Sequence, residues 1–129
     1  MPLILSYSAE AVAQLGAAKT KAEAKPSGGH AANYNALRKI IEEIVADPQF
    51  AFAHQNMLRG QLANVLRVKH GRERIFYIAS SKLGRACVLL IGYRKSGDKN
   101  DAYEVFQRLL RRGSFDAHFA ELGVTKPQT

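Results

Sequence analysis

The rhythm of apolar and polar residues changes several times along this chain, and each change predicts an element. Leu3-Ile4-Leu5-Ser6-Tyr7 alternates and reads as a first strand. Ser8 can cap a helix over about residues 9–22, with Val12, Leu15, Ala18 and Ala22 as its apolar side. Lys25-Pro26-Ser27-Gly28-Gly29 breaks regular structure. A second helix is expected over 33–46, because Tyr34, Leu37, Ile40, Ile41, Ile44 and Val45 recur at helical spacing before Pro48. Residues 48–61 carry no clear period and read as a connector, with Gly60 as a turn. Strands follow at about 62–70 and 73–80, then a turn near Ser80–Gly84 and a strand at 85–93 that is apolar on both faces. After the polar loop Ser96–Asn100, Asn100 or Asp101 can cap a helix that ends near Arg112 and stops at Gly113. Its stripe is Ala102, Val105, Phe106, Leu109 and Leu110. The tail from Ser114 allows one short helical turn around Phe115–Leu122 and then frays. These elements predict an α+β domain over 1–129: a small antiparallel sheet packed against two N-terminal helices, with a C-terminal helix.

The segment Leu66 to Tyr77 carries the most information. Folded about Gly71, it places Lys69 opposite Arg74, Val68 opposite Ile75, Arg67 opposite Phe76 and Leu66 opposite Tyr77. Side chains alternate along a strand, so Arg67, Lys69, Arg74 and Phe76 share one face, and Leu66, Val68, Ile75 and Tyr77 the other. Like charges opposite each other weaken a ladder. A face that collects three cations is a costly way to build a sheet and a good way to hold a polyanion.

Charge mapping strengthens this picture. Of 129 residues with a net charge of +8, the segment 66–112 holds twelve lysines and arginines against four acids, and so carries the whole excess. The remainder balances seven against seven. A regional basic excess points to a phosphate-rich or acidic partner. No stretch approaches the roughly 18 apolar residues of a membrane span, and Met1–Leu5 is too short and uncharged for a signal peptide. The single cysteine, Cys87, lies in an apolar run and fits a reducing cytoplasm.

Several chemistries are disfavoured. Histidines 30, 54, 70 and 118 are scattered and there is no cysteine pair, which argues against zinc. No Gly-rich phosphate loop is present, and the few acids near the hairpin argue against a two-metal nuclease. What remains is a cationic site that needs no cofactor. RNA can be cut without metal when its own 2′-hydroxyl attacks the adjacent phosphate, provided the protein holds the phosphate and moves two protons. Arg67 and Arg74 are candidate phosphate clamps. Lys69 is a candidate base, and Arg94 could stabilise the leaving oxygen. His70, beside the turn, could move a proton. Phe76, Tyr93 and Tyr103 are candidate surfaces for splayed bases. Each has a plainer role too: solvated strand cations, a turn histidine, core aromatics and a residue anchoring the helix start.

The order strand, helical hairpin, R-x-K-x-G hairpin followed by an arginine and an aromatic, then an apolar strand ending in arginine, resembles the RelE/ParE toxin superfamily. Arg67 to Phe76, Lys99-Asn100-Asp101-Ala102-Tyr103-Glu104-Val105-Phe106 and Leu109-Leu110-Arg111-Arg112-Gly113 are similar to YhaV-type toxins. The resemblance implies a RelE-like fold and a type II toxin that cuts mRNA, in some members on the ribosome, and is silenced by a cognate antitoxin. Arg67, Lys69, Arg74 and Arg94 match the superfamily's catalytic-type positions, and Tyr103 matches them less well. Taken with the residue pattern, catalysis is expected of Lys69, Arg74, Arg94 and Tyr103, and RNA contact of Arg67, His70, Arg72, Phe76 and Tyr93. In RelE-like proteins the tyrosine follows the strand-end arginine closely, whereas Tyr103 lies beyond the Ser96–Asn100 loop. The alternative from a different class is a ParE-like inhibitor of DNA gyrase that performs no catalysis.

Overall fold

The computed structural model describes residues 2–128. Its elements are β1 (Ile4–Tyr7), α1 (Ala9–Ala24), α2 (Gly29–Ala46), a short α3 (Pro48–Ala51), β2 (Leu66–His70), β3 (Glu73–Ser80), β4 (Arg85–Tyr93), α4 (Ala102–Arg111) and α5 (Asp116–Leu122). The sheet order is β1-β4-β3-β2. β2, β3 and β4 are antiparallel, and β1 joins the edge of β4 in parallel. The α+β arrangement is as expected, with this one parallel pair. Only a crossover can make such a pair, and the α1–α2 hairpin with its connector supplies it.

Ser8 caps α1 as expected, its Oγ accepting from Ala11 N at 3.0 Å. The buried side of α1 keeps Leu15, Ala18 and Ala22 of the expected stripe but takes Ala11 in place of Val12. Ala11 and Ala22 are buried while Val12 is 57% exposed. Small residues let the helix lie close to the sheet, and Val12 is left outside. α2 begins four residues earlier than its apolar period predicts, because Gly28 takes the extended cap conformation and is not part of a longer break. The connector holds α3 and two 3₁₀ turns, and residues 62–65 are not strand.

Two cores result. Leu37, Ile41, Ile44, Leu66, Val68, Ile75, Tyr77 and Val88 pack between the helical hairpin and one face of the sheet. Phe76, Ile78, Leu89, Leu90, Phe106, Leu110, Phe115 and Phe119 pack between the other face and α4–α5. β4 faces both by alternation, and its register against β3 shifts once: Phe76 pairs with Leu90 but Tyr77 with Val88. The extra residue, Leu89, turns into the second core beside Leu90. The tail after α5 is tied down. Lys126 reaches Asp116 at 2.6 Å and Asn64 donates to Thr125 O at 3.2 Å.

β4 runs past the end of β1, and side chains take over the pairing there. Ser8 Oγ donates to Leu89 O at 2.5 Å. The Gln14 amide accepts from Ile91 N at 2.9 Å and donates to Ile91 O.

Candidate nucleic-acid interface

The hairpin pairs in the register its sequence predicts, from Leu66↔Tyr77 to His70↔Glu73. Gly71 makes the turn possible with φ +58, a conformation costly for other residues. Arg67, Lys69 and Arg74 therefore share the face turned away from the α1–α2 layer. α4 covers only part of that face, and the cations lie in the part it leaves open.

Tyr103 links them. Arg67 Nη1 donates to Tyr103 Oη at 3.0 Å, and its Nη2 donates to Gln55 O at 3.2 Å. The Arg94 guanidinium lies 5.2 Å from the centre of the Tyr103 ring. The ring also meets Phe76 edge-on at 5.2 Å. Arg94 is held by Asp101, with Nη1 2.6 Å from Oδ1. Asp101 is 1% exposed and caps α4, accepting from Lys95 N at 2.5 Å and Tyr103 N at 3.1 Å. Burial alone would raise its pKa, but the bonds from Arg94, Lys95 and Tyr103 hold it below the ordinary carboxylate value. The first residue of α4 approaches β4 closely: a Cβ on Gly92 would lie 3.0 Å from Ala102 Cβ.

Two shallow clefts flank the arrangement. One, of about 620 Å³, is lined by Arg72, Arg74, Arg94, Lys95 and Ser96. The other, of about 310 Å³, is lined by Arg67, Lys69, Gln55 and Asn56. Tyr103 thus touches one arginine from each. Arg74 Nη1 donates to the carbonyls of Gly71 and Glu73, both at 2.9 Å. The Nε atoms of Arg67 and Arg74 are buried without a partner. Among the described residues, no group of three or more His, Cys, Asp or Glu side chains could hold a metal ion, and no helix is long and apolar enough to cross a membrane.

Three of the expected site residues are used differently. Phe76 is fully buried, stacked on Phe106 at 4.5 Å, so no base can reach its ring. The second core, which α4 and α5 complete, claims it. Tyr93 is half exposed but pairs with Glu73 on the opposite face, as does His70. Burial raises the Tyr93 phenol above its ordinary value, and the negative charge of Glu73 adds to this. The structure thus gathers Arg67, Lys69, Arg72, Arg74, Arg94 and Tyr103 on one surface and leaves Phe76, Tyr93 and His70 off it. Lys95 belongs to the surface as well, and Asp101 lies buried beneath Arg94 and holds it. The sequence signal for Asp101 was its cap position; its bond to Arg94 needed the loop to close.

Fold and surface together define a RelE-like toxin domain. The structure is similar to that of a double mutant of the E. coli toxin RelE in the free state, with a TM-score of 0.56 and 18% identity over 87% of this chain and 98% of that one. A RelE mutant bound to an antitoxin RelBc peptide matches at a TM-score of 0.49 and 16% identity, over 84% of this chain and 94% of that one. No curated protein matches. The chain belongs to the YhaV toxin family: the model of that family, described as a toxin with endonuclease activity, of toxin-antitoxin system, matches residues 2–126. It is thus a toxin with endonuclease activity, built on a RelE-like fold.

Proposed function

We propose that this toxin is a metal-independent endoribonuclease that cuts mRNA through attack of the 2′-hydroxyl on the neighbouring phosphate. The observation that carries this is the Arg67–Tyr103–Arg94 array, a phenol hydroxyl held by one arginine while a second lies over its ring. Because Arg67 donates to the Tyr103 oxygen, the phenolic proton is left free to be given away. Tyr103 is then the general acid toward the leaving 5′-oxygen, and Lys69 takes the 2′ proton. The 2′-oxygen to phosphorus bond forms as the phosphorus to 5′-oxygen bond breaks, leaving a cyclic phosphate and a 5′-hydroxyl. Arg67, Arg74 and Arg94 offset charge on the non-bridging oxygens.

The test is cleavage of mRNA by wild type and the R67A/R74A double variant, with and without ribosomes, in EDTA and in magnesium. Cleavage should survive EDTA and fall at least about tenfold in the variant. Undiminished cutting by the variant ends the proposal. The family's endonuclease activity weighs against the non-catalytic gyrase reading, and supercoiling inhibition without RNA cutting would restore it. The cognate antitoxin, on this reading, lays an acidic segment across the basic face. Such an interface weakens with salt.

A further inference from the structure

The sheet end holds a third cavity, of about 370 Å³, between α1, α2, the end of β4 and the start of α4. Its walls include apolar Leu37 and half-exposed Tyr93, and at its inner end lies Glu73. Glu73 is 4% exposed. Its Oε2 accepts from Asn33 Nδ2 at 3.2 Å, its Oε1 is buried with no partner at hydrogen-bond distance, and the Tyr93 phenol approaches the carboxylate. A buried carboxylate oxygen without a donor is costly unless something arrives to fill it. Lys21 and Lys95 line the same cavity, and Lys95 also lines the larger phosphate cleft. The occupant must therefore offer hydrogen-bond donors at its inner end and negative charge at its outer end. A basic side chain from a protein partner would satisfy Glu73 but meet the two lysines with like charge. A nucleotide meets both demands.

We infer that this cavity is a guanine-binding subsite, in which Glu73 accepts from the N1–H and N2–H donors of a guanine whose phosphate lies toward Lys95. Guanine alone among the four bases presents two adjacent donors on its pairing edge, matched to the two oxygens of a carboxylate. Oε2 keeps a free lone pair beside its bond from Asn33. Tyr93 offers the ring for stacking. The inference rests on RNA being the ligand of the basic face, and it supplies that site with a base preference.

The experiment is calorimetric titration of the intact protein with GMP, AMP, CMP, UMP and inosine monophosphate, together with E73Q. GMP should bind at least about tenfold tighter than the other three standard nucleotides. Inosine monophosphate, which lacks the 2-amino group, should fall between. E73Q should erase the preference. Should E73Q not fold, wild type still decides: GMP, and not AMP, should shift the Asn33 side-chain amide resonance, and Y93A should weaken all nucleotides together. Equal affinities, or a guanine preference that survives in E73Q, overturn the inference. So does a lysine-containing peptide that displaces GMP and is itself lost in E73Q. The two proposals fail separately. Guanine binding without RNA cutting by wild type sinks the ribonuclease reading alone. Cutting without guanine preference sinks the subsite alone.

Discussion

Replacing Tyr103 by phenylalanine isolates one atom of the proposed chemistry. The ring keeps its edge contact with Phe76 and its place under Arg94, and the backbone N–H keeps its bond to Asp101. What is lost is the hydroxyl and its bond from Arg67 at 3.0 Å. That bond joins partly exposed groups, and Arg67 retains Gln55 O, so its contribution to stability is about 1 kcal/mol. For a domain of this size such a loss lowers the melting temperature by about 3–5 °C. Removing a general acid costs about 10²–10⁴ in rate. The two effects therefore separate. Single-turnover cleavage of RNA should fall at least about a hundredfold in a protein that still melts as one folded species. If Tyr103 and Arg67 act as one unit, adding R67A to Y103F should cost far less than the separate losses combined. A Y103F protein that cuts within threefold of wild type would show that Tyr103 only anchors α4, and the acid would have to be sought elsewhere.

Three further outcomes follow from the same geometry. D101A removes two backbone amide bonds, one of them the cap of α4, and should cost about 1–2 kcal/mol in urea unfolding. Because the Asp101 pKa is lowered in the folded state, its contribution is present above the unfolded carboxylate value, about 3.9, and is lost as pH falls through the folded one. The stability gap between wild type and D101N should accordingly shrink on acidification, and a gap that widened would contradict the assignment. Four cation contacts to single-stranded RNA give a slope of about −3 in log affinity against log salt, and R74A should flatten it by about 0.7, measured by anisotropy with an uncleavable RNA. G92A presses a methyl to within 3.0 Å of Ala102 Cβ and 3.3 Å of its Cα, and should cost about 1–3 kcal/mol and slow cleavage by shifting Tyr103. A variant with unchanged melting and unchanged cleavage would show that α4 has room to move.

The hairpin was legible because its determinants are local. Gly71 sets the turn and alternation then sorts every side chain, so the register and the shared face of Arg67, Lys69 and Arg74 followed directly. The cap at Asp101 and the stop at Gly113 were local as well. What escaped depends on distant partners. Phe76 reads equally as a stacking surface or a core aromatic until α4 and α5 close over it. The parallel seat of β1 on β4 joins residues some eighty positions apart, as in Ile4↔Arg85, and no short-range pattern records it. Tyr93 follows the alternation to the other face, but its neighbour Glu73 gains meaning only once α2 brings Asn33 to it. Arg94 was expected as a free cation; the closed loop gives it Asp101.

The Gln14 amide beside Ile91 is chemically a detached peptide group, offering one donor and one acceptor just as a neighbouring strand would. The exposed margin of β4 is thereby denied to any other chain without a further strand being spent on it. Protection that rests on one side chain can be removed by one substitution. Q14L would leave the N–H and C=O of Ile91 bare at the rim of the cavity, and such a toxin should self-associate at concentrations where the parent remains dispersed, as light scattering would show. Resistance to strand-on-strand assembly in this protein is thus set from a helix, outside the sheet it protects.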